Sequence, residues 1–488
     1  MITVIQGGTV VAFDGQSHRL INNGVIVYED DRILYVGKMY DGEVDQTINA
    51  YGRLVCPGFI NTLGWAALDV PLRLDGYLGA RNQSQAYVVD GAGTDDLRPL
   101  SGDAFRTVAQ AGMVSLLKGG STTTVTVTAM DPAPWESPME QTEALAQVAG
   151  ELGARAYISH NYRSGAKYFP AKGVLRYQWN EEAGRAGLAN AVGFARQCHG
   201  SYDGRIQAML FPYTLDTSSD ELLRATKEAG QTHDLIVHLF AAQSLFEYHE
   251  IKRRTGQTPI GYLYDIGFLD QKTHVVHAMF TTAHPHSGSA VGDMGDVELL
   301  AQSGATVVHQ PVIRARFGEL LYSFARYQRA GVNVSIGTDE FPMDMINEMR
   351  FAALMGKVAD HDHLAVTVRD VFNAATLNGA KALGRDDLGR LAAGAKADIV
   401  IVDLRRLDMG LTPGDPIKTL VYMADYHDIE TVIIDGRVVV ENGRVPDVDE
   451  EELAAQTRSV VEKQTAAIVG HSPTGMSAEE IFPPSFQR

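Results

Sequence analysis

Histidine and acidic residues recur near the ends of short apolar runs in the middle of this 488-residue chain. His238 lies in LIVHLF, His277 in HVVHAMF and His309 at the end of ATVVH, and Asp339 and Glu340 follow NVSIGT. Imidazole and carboxylate groups can move protons, hold a divalent metal or stabilise developing charge. One buried histidine is usually a hydrogen-bonded core residue, but a series of such endings predicts a shared site.

A scaffold that gathers strand ends is needed to bring these residues together. The middle of the chain alternates helix-forming stretches with eight apolar β runs, namely PGFINTL, TTTVTVT, ARAYISH, RIQAMLF, LIVHLF, HVVHAMF, ATVVHQP and NVSIGTDE. Eight strands alternating with helices predict a (β/α)8 barrel, whose functional groups lie past the carboxyl ends of the strands. An open doubly wound sheet is the alternative.

The two ends of the chain differ from this middle. Residues 1–56 and 386–447 contain short β-rich runs split by turn signals, such as VIQGGTVVAF and TVIIDGRVVV. They predict a small β-sandwich domain formed by both termini. The predicted fold class is therefore α/β, with a (β/α)8 TIM barrel over residues 57–385 and a C-terminal helix and tail over 448–488.

Composition excludes several classes of function. The formal net charge is −18, and no basic stripe that would bind nucleic acid is visible. No apolar run approaches the roughly 20 residues of a membrane helix, and the N-terminus lacks a signal-peptide pattern. The chain has two cysteines, Cys56 and Cys198, which indicates a reducing compartment. We therefore expect a cytoplasmic protein that binds neither nucleic acid nor membrane.

An ordered set of motifs resembles the amidohydrolase superfamily, in particular its triazine hydrolases, chlorohydrolases and aromatic deaminases. The motifs are PGFINT, GSTTTVT, IVHLF, VVHAMF, VVHQP, IGTDE with INEMRFAAL, ATLNGAKALG and LGRLAAGAKADIVIVDL. The resemblance implies a distorted (β/α)8 barrel with a β-sandwich from both ends. Homo-oligomers are common in the family, so we also expect a homo-oligomer.

The resemblance also shows where this chain departs from the family at the metal site. The family holds a divalent metal with a His-x-His after strand one, a His on strands five and six, and an Asp on strand eight. The last three map onto His238, His277 and Asp339, but the His-x-His maps onto Leu63 and Trp65. Apolar side chains cannot compensate a dehydrated ion, so we expect no cofactor. Zinc or iron on the three remaining residues is the alternative.

A second departure bears on the leaving group. Where the family has a proton-shuttling Glu after strand five, this chain has Ala241. An amine that leaves an aromatic ring needs a proton, whereas nitrite or halide leaves as a stable anion. We therefore predict a metal-independent hydrolase that uses water to displace nitrite or halide from an electron-poor nitrogen heteroaromatic ring. Nitroimidazole denitration, a xenobiotic-degrading nitrohydrolase reaction, is the example.

Each candidate residue has an expected role in this reaction. Asp339, assisted by His238 or His277, is expected to be the base, and His309 with Arg314 is expected to stabilise developing charge. The residues expected to bind the small heteroaromatic substrate are Trp65, Leu63, Tyr162, Arg163, Arg314 and Glu340. Alternatively, the two arginines form ordinary salt bridges at the rim of the barrel. For Trp65, the alternative explanation is a side chain that fills the volume of a lost metal site.

Two other functions stay open. One is a metal-dependent aromatic deaminase or chlorohydrolase with reduced ligation by His238, His277 and Asp339. The other is a catalytically inactive amidohydrolase-fold protein that binds a small molecule or acts as an assembly partner.

Overall fold

The computed structural model describes residues 1–67, 100, 102–128, 135–171, 174–287, 295–409 and 414–470, with isolated residues at 477, 479 and 486. Its strands, in chain order, are β1 Ile2–Phe13, β2 His18–Glu29, β3 Arg32–Gly37, β4 Gln46–Asn49, β5 Arg53–Pro57, β6 Phe59–Asn61, β7 Ser121–Val127, β8 Arg155–Ser159, β9 Gly165–Ala171, β10 Val174–Trp179, β11 Ile206–Ala208, β12 Val237–Ala241, β13 Thr273–His277, β14 Thr306–His309, β15 Asn333–Ile336, β16 Ile399–Asp403, β17 Ile429–Ile434 and β18 Arg437–Glu441.

Helices separate most of the central strands. In chain order they are α1 Gly102–Lys118, α2 Met139–Glu151, α3 Glu181–Cys198, α4 Asp220–Thr232, α5 Leu245–Thr255, α6 Pro259–Asp265, α7 Asp296–Ser303, α8 Pro311–Arg316, α9 Phe324–Ala330, α10 Met345–Asp360, α11 Val368–Ala374, α12 Leu377–Ala382, α13 Pro416–Met423 and α14 Glu450–Gly470. Polar side chains cap several of them: Ser219 accepts a hydrogen bond from the Leu222 N–H at the start of α4, and Asp344 caps α10. Within the described residues, no helix combines the length and apolar character that crossing a membrane requires.

All eight β runs predicted in the middle of the chain form strands. They lie in two parallel four-stranded sheets, ordered β11-β8-β7-β6 and β12-β13-β14-β15. Strands β7, β8 and β12 to β15 are buried along their whole length, as expected for parallel strands covered by helices. The antiparallel hairpin of β9 and β10 follows β8 and was not predicted. The α/β class is therefore confirmed.

Backbone hydrogen bonds span the two seams between these sheets. At one seam the His238 N–H donates to the carbonyl oxygen of Leu210 over 2.8 Å, and at the other the Thr62 N–H donates to that of Ile336 over 3.1 Å. Isolated bridges, rather than continuous ladders, lie at these places. Closure into one eight-stranded ladder is not observed among the described strands and stays a prediction.

Strands from both ends of the chain form one further sheet, in the order β18-β17-β16-β5-β1-β2-β3 with β4 beside β1. The antiparallel pairing of β5 with β16 joins the two ends. Both termini therefore combine as predicted, but their described strands lie in a single sheet. A two-layered sandwich and the predicted domain boundaries at 56/57, 385/386 and 447/448 stay predictions.

Candidate active site

The ends of β6 and β15 are joined through their backbones. The Trp65 N–H donates to the carbonyl oxygen of Asp339, and the Asp339 N–H donates to that of Leu63, each over 2.7 Å. Asp339 has a φ of 59°, in the left-handed region that few residues other than glycine adopt. Leu63 and Trp65 are 0% and 2% exposed. Two buried apolar residues therefore stand beside the acid that follows the last barrel strand.

Arg314 provides the positive charge beside that acid. Its Nη2 lies 3.4 Å from Oδ2 of Asp339, and its Nη1 lies 3.5 Å from Oε2 of Glu319. Arg314 is placed by α8, which begins two residues after His309 ends β14. Both members of the Arg314–Asp339 pair are buried.

Two buried histidines at the strand ends are neutral around pH 7. Burial, and then the charge of Arg314, lowers the pKa of His277 well below its usual value and that of His309 to about 3. His277 has a φ of 75°, which breaks the regular alternation of side chains along β13. Neither of its ring nitrogens makes a well-formed hydrogen bond within the described structure, although Gln310 lies beside it. Both rings can therefore accept or donate one hydrogen bond toward a bound molecule.

His238 lies deeper than its place in the sequence indicated. It is the second residue of β12, and the ladder pairs it with His274, whereas Ala241 pairs with His277. The prediction of His238 late in its strand was wrong because β12 continues to Ala241. His238 precedes Ala241 by three residues, so the level of His238 and that of His277 are about 10 Å apart along the strands. His238 is still near enough to contribute to the lowered pKa of His277.

An aromatic surface adjoins these polar groups. The Phe240 ring lies 6.3 Å from that of Trp65, 5.0 Å from His277 and 5.8 Å from Tyr213, measured between ring centroids. The guanidinium of Arg163 lies 5.4 Å from the Tyr213 ring. We call Trp65, Phe240 and Tyr213 the aromatic wall. Sequence reasoning missed Phe240 and Tyr213, although Phe240 stands two residues after His238 and so shares its face of the strand.

The structure places Tyr162 apart from this group. Its hydroxyl lies 3.0 Å from Oγ1 of Thr226 in α4, and its Cβ packs against Gly187 of α3. Burial raises the pKa of its hydroxyl. Glu340, directly after Asp339, is 4% exposed. The predicted substrate contacts of Tyr162 and Glu340 stay predictions.

His160, which ends the third predicted run, belongs to a separate pair. Its Nε2 lies 2.9 Å from Oε2 of Glu136, and its Nδ1 lies 3.2 Å from Oγ1 of Thr142. The hydrogen bond with His160 lowers the pKa of Glu136. This histidine is therefore a paired residue outside the candidate site.

The residues present do not fit a conventional catalytic zinc site. Across the described ranges, no group of three or more His, Cys, Asp or Glu side chains is arranged to hold a metal ion. Leu63 and Trp65 offer no ligand atoms, so the donors that remain at this edge are Nε2 of His238, the ring of His277 and the carboxylate of Asp339. Catalytic zinc normally has three protein ligands. The described residues therefore do not form such a site.

Comparison with known proteins identifies the family. The model of the amidohydrolase family matches residues 54–439, which include most of β5, all eight strands of the two central parallel sheets, and most of β16 to β18. The chain therefore belongs to the amidohydrolase family and is a hydrolase.

The curated relatives of the chain include deaminases. The 5′-deoxyadenosine deaminase of Methanosarcina acetivorans is 29% identical over 95% of this chain and 98% of its own length. The 5-methylthioadenosine/S-adenosylhomocysteine deaminase of Natronomonas pharaonis is 30% identical over 91% of this chain and 93% of its own length. This chain is thus similar to deaminases along nearly its whole length.

Solved structures share the fold. A triazine hydrolase variant superimposes with a TM-score of 0.80 at 23% identity, covering 94% of this chain and 99% of the other. An adenosine deaminase from Xanthomonas campestris with bound zinc has a TM-score of 0.77 at 21% identity, covering 95% and 98%. These neighbours show that the chain shares their fold, and the expected absence of a cofactor stays a prediction.

Proposed function

We propose that this amidohydrolase-family hydrolase displaces nitrite or halide from an electron-poor nitrogen heteroaromatic ring, without a metal, as in nitroimidazole denitration. The observation that carries the proposal is the aromatic wall beside Asp339, His277 and Arg314. The wall includes Trp65, at one of the two positions to which the family resemblance assigns metal-binding histidines. A flat apolar surface next to a carboxylate and a guanidinium suits an aromatic substrate that gains negative charge during reaction.

The proposed reaction is a substitution by water. The water oxygen forms a bond to the ring carbon that carries the substituent, and its proton passes to Asp339. Negative charge then develops on the ring nitrogens or the nitro group, where the Arg314 guanidinium and a neutral His309 N–H can stabilise it. The bond to the substituent breaks and its electron pair leaves with nitrite or halide. A nitroarene and water thus give a hydroxyarene, nitrite and a proton.

The residues near position 241 support an anionic leaving group. Ala241 is fully buried and pairs with His277, so this position offers no proton. Glu247, the next acidic residue along the chain, accepts hydrogen bonds from the N–H groups of Ala242 at 2.6 Å and Gln243 at 2.9 Å. Its two oxygens are therefore engaged with the backbone of this turn.

A paired assay and elemental analysis test the proposal. Purified protein is given 2-nitroimidazole and a chlorotriazine before and after chelation, and nitrite, chloride and bound metals are measured. We expect anion release that chelation leaves unchanged, with far less than one metal per chain. One zinc or iron per chain with chelator-sensitive turnover would refute the metal-free mechanism.

A variant that restores histidines at positions 63 and 65 tests whether these two positions determine metal binding. Leu63→His with Trp65→His adds two imidazoles beside Asp339 and is expected to take up zinc and lose nitrite release. Leu63→Phe with Trp65→Phe is the matched control, because it changes the same positions without adding ligands. Equal zinc content in wild type and the histidine variant would show that these positions do not decide metal binding.

A metal-dependent aromatic deaminase is the second candidate function. It is favoured by the 29–30% identity to deaminases and by the zinc in a structural neighbour. Zinc or iron would then be held by His238, His277 and Asp339. Ammonia release from 5′-deoxyadenosine or methylthioadenosine, lost on chelation and restored by zinc, would establish it.

Cytoplasmic location and homo-oligomerisation stay predictions. Light scattering of the purified protein tests the oligomeric state.

A further inference from the structure

A fully buried amide side chain lies beside the candidate site, and the proposed reaction does not use it. Gln310 is 0% exposed and stands between His309, which ends β14, and Pro311, which begins α8. Within the described residues, neither Oε1 nor Nε2 of Gln310 has a hydrogen-bond partner of good geometry. The side chain lies beside the ring of His277, whose centroid is 5.0 Å from that of Phe240 in the aromatic wall. Gln310 thus belongs to the group of residues around the aromatic wall.

The usual structural roles of a buried glutamine do not account for Gln310. It occupies the N-cap position of α8, but its side chain forms no capping hydrogen bond with the described first turn of that helix. Gln141 in α2 provides the contrast, because it is 4% exposed and its Nε2 donates to the carbonyl oxygen of Leu100. A buried amide without partners costs free energy, and such groups are rare in folded proteins. Gln310 therefore marks a place that a bound molecule can complete.

A primary amide binds best to a partner that offers one donor and one acceptor side by side. Its oxygen accepts a hydrogen bond and its NH2 group donates, whichever way the amide is turned. Glutamine binds the edge of adenine in this way, by pairing with the exocyclic amino group and the neighbouring ring nitrogen. In 2-nitroimidazole the ring N–H and a nitro oxygen are separated by the same number of bonds as those two adenine groups. The amide of Gln310 therefore complements this edge of a nitroazole.

We propose that Gln310 is a specificity-determining residue that binds the ring N–H and the adjacent nitro group of an azole substrate. This inference rests on the proposed function and narrows its substrate class to nitroazoles that keep a ring N–H. The amide oxygen accepts from the ring N–H, and the amide NH2 group donates to a nitro oxygen. Negative charge gathers on the nitro group as water attacks the carbon that carries it, so the second hydrogen bond strengthens during the reaction. Asp339 remains the base that takes the proton of the water.

Two substrates and two variants test this role. 1-Methyl-2-nitroimidazole has no ring N–H, so the wild-type kcat/KM for it should be about 10–100-fold below that for 2-nitroimidazole, because the buried amide oxygen then lacks its donor. Gln310→Met keeps the length of the side chain without its polar atoms and should bring the two values within about 3-fold of each other. Gln141→Met is the matched control and should keep the wild-type ratio. An unchanged ratio in Gln310→Met would overturn the proposal, because the size of the methyl group would then explain the preference.

Binding measurements separate a failure of this inference from a failure of the proposed function. Isothermal titration calorimetry of the wild-type protein with each of the two imidazoles requires no turnover. We expect 2-nitroimidazole to bind at least about 10-fold more tightly than its methyl derivative. Equal affinities, or no binding of either compound, would overturn the inference even if Gln310→Met fails to fold. Tighter binding of 2-nitroimidazole without any release of nitrite would instead refute the proposed function alone.

Discussion

Two buried arginines of this chain differ in how closely their nitrogen atoms contact carboxylates. Arg155, at the start of β8, donates from Nε and Nη2 to both carboxylate oxygens of Asp398 at 3.2 Å and from Nη2 to Asp435 at 2.5 Å. Arg314 makes longer contacts, at 3.4 Å with Asp339 and 3.5 Å with Glu319, and its Nε has no hydrogen-bond partner in the described part of the chain. Arg155 thus makes close hydrogen bonds with two carboxylates, whereas the contacts of Arg314 are longer and fewer.

This difference distinguishes an ion pair that joins two sheets from the ion pair of the proposed site. Asp398 lies just before β16 and Asp435 just after β17, so Arg155 connects the central sheets to the sheet formed by the chain ends. Buried charges that are hydrogen-bonded on all sides resist removal of one partner. Buried polar atoms left without partners are uncommon in folded proteins and mark places where a ligand or water completes the arrangement. We therefore expect Arg155 to contribute to stability, and we keep the Arg314–Asp339 pair as the proposed chemical group.

The largest effect that tests this assignment is on turnover. Asp339→Asn removes the charge that orients and deprotonates water while keeping the side-chain shape. We expect the rate of nitrite or halide release to fall about 10²–10⁴-fold, the usual contribution of a general base. Urea denaturation measured on the same variant checks that it is folded under the assay conditions. Turnover equal to that of the wild type would show that Asp339 is not the base. It would also contradict the proposed chemical role of the Arg314–Asp339 pair.

The next effect is on stability. Arg155→Met leaves the buried carboxylate of Asp398 without a cation, whereas Asp435 keeps its 3.0 Å ion pair with Lys396. The free energy of unfolding should therefore fall by about 3–5 kcal/mol. Urea denaturation measures it, and kcat of the folded protein should stay unchanged. Arg224→Met is the control, because Arg224 is 55% exposed in an ion pair with Asp220 and such pairs contribute at most about 1 kcal/mol. A loss below 1 kcal/mol for Arg155→Met would contradict the structural assignment.

Much of the fold could be predicted from the sequence because its strands are buried and bounded by turn signals. All eight apolar runs became strands, within a few residues at each end. The hairpin of β9 and β10 was missed because Pro170 and Gly173 interrupt its apolar pattern, and both residues normally argue against a strand. Pairing between the chain ends was also predictable, but the number of sheet layers was not, since sequence periodicity does not report which strands share a sheet.

The candidate site was predictable only where residues follow strand ends. His277, His309 and Asp339 were found this way, and the structure brings them near Arg314. Tyr162 could not be placed, because its direction depends on the loop after β8 rather than on strand register. His274 was passed over because it stands at the start of its apolar run. Its contact with His238 follows from the lateral register of β12 and β13, which the sequence alone does not show.

A smaller effect concerns acid stability. Burial and then Arg314 lower the pKa of His309 to about 3, against 6.5 in the unfolded chain. Between these values the unfolded chain binds the extra proton, so stability rises with pH in this window and is lost as pH falls below 6.5. His309→Phe should reduce the slope of unfolding free energy against pH by up to about 1.4 kcal/mol per pH unit. The control His363→Phe changes a side chain that is 87% exposed and should leave the slope unchanged, and an equal slope for His309→Phe would contradict the buried neutral imidazole.

The smallest effect decides what Trp65 does. If the aromatic wall binds the substrate ring, Trp65→Leu should weaken binding by about 0.5–1.5 kcal/mol, the usual contribution of an aromatic pair beyond its buried area. That change corresponds to roughly a 2- to 13-fold higher KM, measured with kcat in the same assay. Trp179→Leu is the control, because Trp179 is 40% exposed on β10, outside the wall. An unchanged KM with a lower unfolding free energy would mean that Trp65 only fills space beside Asp339. A raised KM would indicate that the substrate ring packs against Trp65. Arg314 would then be the group that stabilises the negative charge developing on that ring.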